Sequence, residues 1–82
     1  MKNLIEYIVK ALVENPDQVS VTETLGEKVS IVEVRVAESD MGKVIGKEGK
    51  IANAIRTVAK AAGGKEQKRV NVEFMTKEVN NG

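Results

Sequence analysis

The stretch DMGKVIGKEGKIANAIRTVAKAAGGK, residues 40–65, decides the fold. Within it, Gly46 and Gly49 enclose two charged residues and separate two apolar segments. Glycine ends helices readily and adopts backbone conformations that other residues avoid, so the pattern predicts a short helix, a sharp turn and a second helix. The second helix is expected to run from Lys50 to about residue 62, where a pair of glycines closes it.

Outside this stretch the sequence predicts one more helix and three strands. Residues 3–16 have the apolar spacing of a helix that Asn3 caps and Pro16 stops. Residues 19–36 alternate apolar and polar side chains on either side of a glycine turn, which is typical of a β-hairpin. Residues 69–75 alternate in the same way and form the last predicted strand.

The predicted element order is αββααβ, in the α+β class. Because a pair of helices connects the second and third strands, these strands are expected to be parallel, whereas the hairpin is antiparallel. The expected architecture is a three-stranded mixed sheet with three helices packed on one face. A chain of 82 residues has room for one such domain, which we predict to span 1–82.

The composition excludes several classes of function. The chain contains no cysteine and no histidine, so it lacks disulfides, the usual soft metal ligands and the commonest general acid–base side chain. We therefore predict no cofactor, no metal, no small-molecule substrate and no catalysis. No apolar run reaches the ~20 residues of a membrane span, and the first ten residues mix acidic with basic side chains, so a cytoplasmic protein is expected.

The charge distribution points to an anionic partner. Residues 41–69 contain eight basic and two acidic residues, a net charge of +6, and the rest of the chain carries −5. Basic charge that is concentrated beside a glycine turn is a pattern that attracts an anion, whereas the acidic remainder keeps the attraction local.

The turn itself has the features of an anion site. The first amides of the second helix have no partner inside the helix, and they lie at the positive end of its dipole. Lys43, Lys47 and Lys50 add full charges around this point. The absence of side chains at Gly46 and Gly49 would allow a phosphodiester backbone to lie against the peptide.

At this point the chain resembles a KH domain of the type II topology, whose signature is an aliphatic pair, Gly-x-x-Gly and a helix. Here 44–45 is the aliphatic pair and Gly46-Lys47-Glu48-Gly49 is the loop. The resemblance covers almost the whole chain and is closest to the small single-KH RNA-binding proteins of bacteria, the KhpA-like group. It implies that the loop and an adjacent groove hold about four nucleotides of single-stranded RNA. The residues predicted to contact RNA are Gly46, Lys47, Glu48, Gly49, Lys43, Lys50, Arg56, Lys65, Lys68 and Arg69.

A second surface is predicted on the longer central helix. Besides the apolar stripe that faces the sheet, this helix has a further stripe that includes Ile51, Ala54 and Val58. We interpret this stripe as a homodimer interface, and a broader core or the floor of the groove are the alternatives. The family resemblance also implies a larger KH-containing partner of the Jag type, which is KhpB-like. No membrane partner is predicted.

Other functions fit the residues less well. Nucleotide-hydrolysing loops need Gly-x-x-x-x-Gly-Lys-Ser/Thr, and GKVIGKEGK has a different spacing and no hydroxyl. RNA binders that stack bases on a sheet need several aromatic rings, and the chain has only Tyr7 and Phe74. The alternative that remains is a KH-like protein-interaction or ribosome-assembly factor without direct single-strand readout. Ribosome-binding factor A, which shares the same element order, is similar to such a protein.

Overall fold

A computed structural model of the protein, which describes residues 1–77, has three helices on one face of a three-stranded sheet. Short 3₁₀ turns lie in three of the connections. The predicted αββααβ order and the α+β class are confirmed. Residues 78–82 of the predicted domain range lie outside the described residues. The elements are α1 (Lys2–Leu12), β1 (Ser20–Leu25), β2 (Val29–Val36), α2 (Met41–Ile45), α3 (Lys50–Gly64) and β3 (Arg69–Thr76).

The sheet is mixed and has the predicted topology. Its strand order is β1-β2-β3, with β1 antiparallel to β2 and β2 parallel to β3. Val34 of β2 stands opposite Val21 of β1, and Val32 of β2 stands opposite Val72 of β3. The helices α2 and α3 form the crossover between the parallel strands. Within residues 1–77, β3 therefore has a neighbouring strand on one side only.

The core lies between this sheet and the helices. Alternate residues of each strand point inward, and they are mostly valines, whose branched side chains suit a pleated surface. One turn of α1 and the inner stripe of α3 complete the cluster. Its buried members are Ile5, Val9, Val21, Val32, Val34, Val36, Val44, Ile55, Ala59, Val70 and Val72.

The predicted ends of α1 were wrong. Met1 stands at the N-cap, and Asn3 lies inside the helix, with no side-chain hydrogen bond to the helix start. The helix ends at Leu12, well before Pro16, which instead opens a 3₁₀ turn. The helix stops early because Val13 is already extended and the next two amides have acceptors elsewhere in the protein.

The predicted end of α3 near residue 62 was also wrong, since the helix continues through Gly64. Gly63 is buried in the inner stripe, and a Cβ at this position would overlap Cγ2 of Val70. The glycine therefore permits α3 to pack closely on β3, and it does not end the helix. The chain reverses at Gln67, three residues after the last residue of α3, where φ is 59°.

A buried carboxylate joins the end of α1 to the start of α2. Asp40 is 1% exposed, and its side chain does not cap α2. Its Oδ1 accepts the amide of Glu14 at 3.1 Å, and its Oδ2 accepts the amide and the Nδ2 of Asn15 at 3.0 Å each. Burial raises the pKa of Asp40, but these hydrogen bonds and nearby Lys43 together hold the pKa below its ordinary value of 3.8.

The two loop glycines have different roles. Gly46 combines a φ of 76° with a ψ of 174°, a region that only glycine occupies readily, and a Cβ there would lie 2.6 Å from Cγ1 of Ile51. Gly49 is left-handed at φ 74° and ψ 14°, but a Cβ there would have no neighbour within 4 Å. Glu48 between them is also left-handed, with a φ of 58°. The chain thus turns from α2 into α3 through three residues of positive φ.

Replacing Asp40 with Asn should lower the midpoint of thermal unfolding at pH 7, because an amide nitrogen would face the backbone donors of Glu14 and Asn15. A carboxylate whose folded pKa is depressed stabilises the protein above its ordinary pKa and loses this effect as the pH falls through the folded value. The difference between wild type and Asp40→Asn should therefore shrink below about pH 4. Circular dichroism melts at pH 7, 4 and 3 measure it. Asp17→Asn, an exposed control, should melt like wild type, and a constant gap for Asp40→Asn would contradict the assignment.

Alanine at the two loop glycines should separate their roles. Gly46→Ala should cost about 3 kcal/mol of unfolding free energy, because the backbone strain adds to the overlap with Ile51. Gly49→Ala should cost only about 1 kcal/mol, since its surroundings are open. Urea unfolding of both variants measures the difference. Equal losses of unfolding free energy in the two variants would show that the overlap between the added Cβ and Ile51 does not destabilise Gly46→Ala.

Candidate nucleic-acid interface

The turn between α2 and α3 presents open backbone at the start of α3. Gly49 stands at the N-cap and no side chain makes a capping hydrogen bond. The amide of Lys50 bonds to the carbonyl of Lys47, and the amide of Gly49 bonds to the carbonyl of Gly46 at 3.2 Å. Within residues 1–77, no atom lies within 4 Å of the missing Cβ of Gly49, so this side of the turn is open at the positive end of a 15-residue helix.

The charged side chains of the turn differ in what surrounds them. Lys47 and Lys50 are exposed, and neither forms an ion pair within residues 1–77. The ammonium of Lys43, in contrast, lies 3.8 Å from a carboxylate oxygen of Glu14 and 4.0 Å from one of Asp40. Of the three lysines predicted to surround the turn, Lys47 and Lys50 therefore keep a full charge for a ligand, and Lys43 is partly neutralised.

Glu48 is exposed at the tip of the turn. It forms no ion pair within residues 1–77. Its carboxylate lies one residue before the N-cap of α3, where negative charge is favoured by the helix dipole. The same charge opposes an anionic ligand, so the turn combines one acid with two free lysines.

The free edge of β3 provides hydrogen-bonding groups next to α3. The amides of Arg69 and Lys77 donate to carbonyls of Lys28 and Val36 on the β2 side. Because successive residues of a strand direct their backbone groups to opposite sides, the even-numbered residues of β3 direct theirs away from β2, to the free edge. These residues are Val70, Val72, Phe74 and Thr76.

Arg56 stands between α3 and this edge. Its Nε donates to the carbonyl of Val72 at 3.3 Å, and its Nη1 donates to Oδ1 of Asn53 at 3.3 Å. The guanidinium carbon lies 5.3 Å from the ring centroid of Phe74, within the range of a cation–π contact. Arg56 therefore bridges α3 and the free edge of β3, along the line that we call the groove, and it is held there by protein contacts.

A basic concavity of about 540 Å³ lies where α3 and the start of β3 meet. Lys60 is about 15 Å along the helix axis from Lys50, so the concavity and the turn lie at opposite ends of α3. Of the predicted residues, Lys68 and Arg69 line the concavity and Lys65 is exposed nearby in the chain. The lining residues are Lys60, Lys68, Arg69, Val70 and Asn71.

Sequence analysis did not identify Asn71, or the free backbone edge of β3, as part of the interface. The alternation of β3 predicted a half-buried strand, but it gave no sign of which strands lie at the edge of the sheet. The predicted topology does imply a free edge, because the last of the three strands has one open side unless a further strand covers it.

The residues predicted for a partner surface divide into two environments. Ile51 is half-buried, packs on the core and contacts the position of Gly46. Ala54 is exposed, and Val58 is 42% exposed. Both lie about 160° around α3 from Arg56, so the exposed apolar stripe is on the side of the helix opposite the groove. A broader core and the floor of the groove are thus excluded for Ala54 and Val58.

Residues 1–77 contain no cluster of three or more carboxylates that is arranged to hold a metal ion. No helix there has the length and apolarity needed to cross a bilayer.

Solved structures confirm the fold. Aquifex aeolicus Era bound to GDP and AlF₄⁻ superposes with a TM-score of 0.68 at 20% identity, covering 98% of this chain and 31% of the Era chain. Era in complex with MgGDPNP and nucleotides 1506–1542 of 16S ribosomal RNA gives a TM-score of 0.65 at 20% identity, with 98% and 30% coverage. At this identity the similarity concerns the fold alone.

Sequence comparisons place the chain in a family. The chain is 60% identical over 75 residues to the RNA-binding protein KhpA of Clostridium acetobutylicum, covering 92% of this chain and 100% of the relative. It is 48% identical over 75 residues to the RNA-binding protein KhpA of Aquifex aeolicus, covering 92% and 95%. A profile described as "KhpA/KhpB, KH domain" matches residues 2–74. The chain therefore belongs to the KhpA/KhpB family of KH-domain proteins.

Proposed function

We propose that the protein binds short single-stranded RNA, without catalysis, in the groove between α3 and the free edge of β3. The observation that carries this proposal is the start of α3, which has no side-chain cap within residues 1–77 and is open at Gly49. Lys47 and Lys50 flank it, and neither forms an ion pair within the same residues. Phosphate is the anion that such a backbone site favours. The relatives named RNA-binding proteins support RNA as the polymer that carries it.

The groove suits a single strand better than a duplex. The free edge of β3 offers backbone donors and acceptors, which can pair with the Watson–Crick edges of bases only when those edges are not already paired. The turn at one end and the basic concavity at the other would hold phosphates, so bases between them would point at the edge of the strand. We further propose that the whole chain acts as one KH domain, in the cytoplasm, in post-transcriptional regulation.

We also propose that the protein acts as a dimer through the exposed stripe of α3. Ala54 and Val58 are apolar and exposed, and small side chains allow two helices to approach closely. A second copy of the chain would cover the stripe and join two grooves, which raises the effective affinity for one RNA. A larger KH-containing protein of the KhpB type is the alternative occupant, and the family description, which names KhpA together with KhpB, supports it.

A protein-interaction or ribosome-assembly role without RNA readout is the second candidate function. The exposed stripe of α3 favours it, because apolar side chains in this position fit a protein and not a polyanion. Direct binding of the protein to short RNA separates the two candidates. Failure to bind single-stranded RNA, with the dimer intact, would leave the protein-interaction role.

Replacing Lys47 with Asp should weaken RNA binding about tenfold near 0.1 M salt, because the variant would place two adjacent carboxylates at the turn. Log affinity should also depend on log salt with a slope that is shallower by about 1, since one phosphate contact is lost. Fluorescence anisotropy with a labelled single-stranded hexamer at several salt concentrations measures both quantities.

The matched control for this prediction is Lys2→Asp, which makes the same charge change in α1, outside the groove. It should lower affinity far less than Lys47→Asp. Both variants should keep the wild-type circular dichroism spectrum, because both lysines are exposed. If Lys47→Asp folds and binds RNA like wild type, the turn is not the phosphate site.

Replacing Val58 with Glu should convert a dimer to a monomer, because a charge would have to be buried at the centre of the interface. Sedimentation velocity over a range of micromolar concentrations measures the association. Thr57→Glu adds the same charge on an exposed, neighbouring position of α3 and should remain dimeric. A wild-type protein that stays monomeric to high micromolar concentration would refute the dimer.

A further inference from the structure

Arg56 lies near the middle of the groove. It follows Lys50 by about 9 Å along the axis of α3 and precedes Lys60 by about 6 Å, so it stands between the turn and the basic concavity. If phosphates occupy the two ends of the groove, the base of an intervening nucleotide is the group that reaches Arg56. This step rests on the proposed function.

The guanidinium of Arg56 is held in one orientation by three contacts. The carbonyl of Val72 anchors Nε, Oδ1 of Asn53 anchors Nη1, and the ring of Phe74 supports one face. Within residues 1–77, no acceptor is hydrogen-bonded to Nη2. The protein thus fixes the plane of the guanidinium and leaves its third nitrogen as a donor.

The same contacts use part of an acceptor in the groove. Val72 directs its carbonyl to the free edge of β3, where it would accept a hydrogen bond from a base amino group. Arg56 occupies one of the two lone pairs of that carbonyl and places a donor beside it, because a guanidinium donates hydrogen bonds and accepts none. At this point of the groove a base carbonyl finds a partner, whereas a base amino group faces a charged donor.

We propose that Arg56 is a specificity-determining residue that selects a keto base, uracil or guanine, over an amino base, cytosine or adenine. Its Nη2 donates to O4 of uracil or O6 of guanine. Asn53 and Phe74 are positioning residues, which act by fixing the guanidinium. The other basic residues of the groove contact phosphate and do not distinguish bases.

The hexamers rU₆ and rC₆ test this proposal, because uracil and cytosine share one ring and differ in two places, the keto or amino group at C4 and N3, which carries a proton only in uracil. The wild-type protein should bind rU₆ about tenfold more tightly than rC₆, as measured by fluorescence anisotropy. Arg56→Lys keeps the charge but loses the planar, anchored donor, so its preference for rU₆ over rC₆ should fall below about twofold. Asn53→Ala, at an exposed position, releases only Nη1 and should lower the ratio to an intermediate value.

Lys60→Gln is the matched control, since it removes a charge from the same groove. It should weaken binding of both hexamers by the same factor and keep their ratio. A wild-type protein that binds both hexamers within twofold would overturn the role of Arg56 while leaving RNA binding intact. A folded Arg56→Lys variant that retains the wild-type ratio would also overturn it. If the protein binds neither hexamer, the proposed function itself is refuted.

Discussion

The carboxylate of Asp40 is the contact on which the arrangement of the helices depends. It accepts three hydrogen bonds from Glu14 and Asn15, whose backbone amides would otherwise lack a partner after α1 has ended. One side chain thus fixes the end of α1 against the start of α2. Because α2 has only five residues and leads directly into the glycine turn, its placement decides where the start of α3 is presented. This connection at the start of α2 therefore helps to set the position of the proposed phosphate site at its end.

Much of this architecture follows from local sequence. The alternation in 29–36 and 69–75 predicted the second and third strands, because each has one face on the core and one outside. The two loop glycines predicted the break between α2 and α3, since their conformations are costly for other residues. The parallel pairing of β2 and β3 followed from the length of the connection between them. These features depend on periodicity and on backbone sterics, which a single sequence displays directly.

The remaining features depend on contacts between distant parts of the chain. The ion pair between Lys43 and Glu14, twenty-nine positions earlier in the chain, was not predicted. The burial of Gly63 depends on Val70, which only the packing of α3 on β3 brings close. The hydrogen bond from Arg56 to the backbone of β3 is of the same kind. A one-dimensional pattern cannot show these pairs, because their members have no fixed spacing along the sequence.

The helix α3 separates two surfaces. Arg56 and Lys60 lie on one side of it, and Ala54 and Val58 lie on the other. Two copies that pack against each other through Ala54 and Val58 would have their grooves on the outer sides of the dimer, separated by the thickness of both helices. An RNA that engages both copies would then need a spacer long enough to pass around the dimer. Such an assembly would favour long, unstructured transcripts with two separated contact sites over compact ones. The position of one apolar stripe would in this way set a minimum length for bivalent binding.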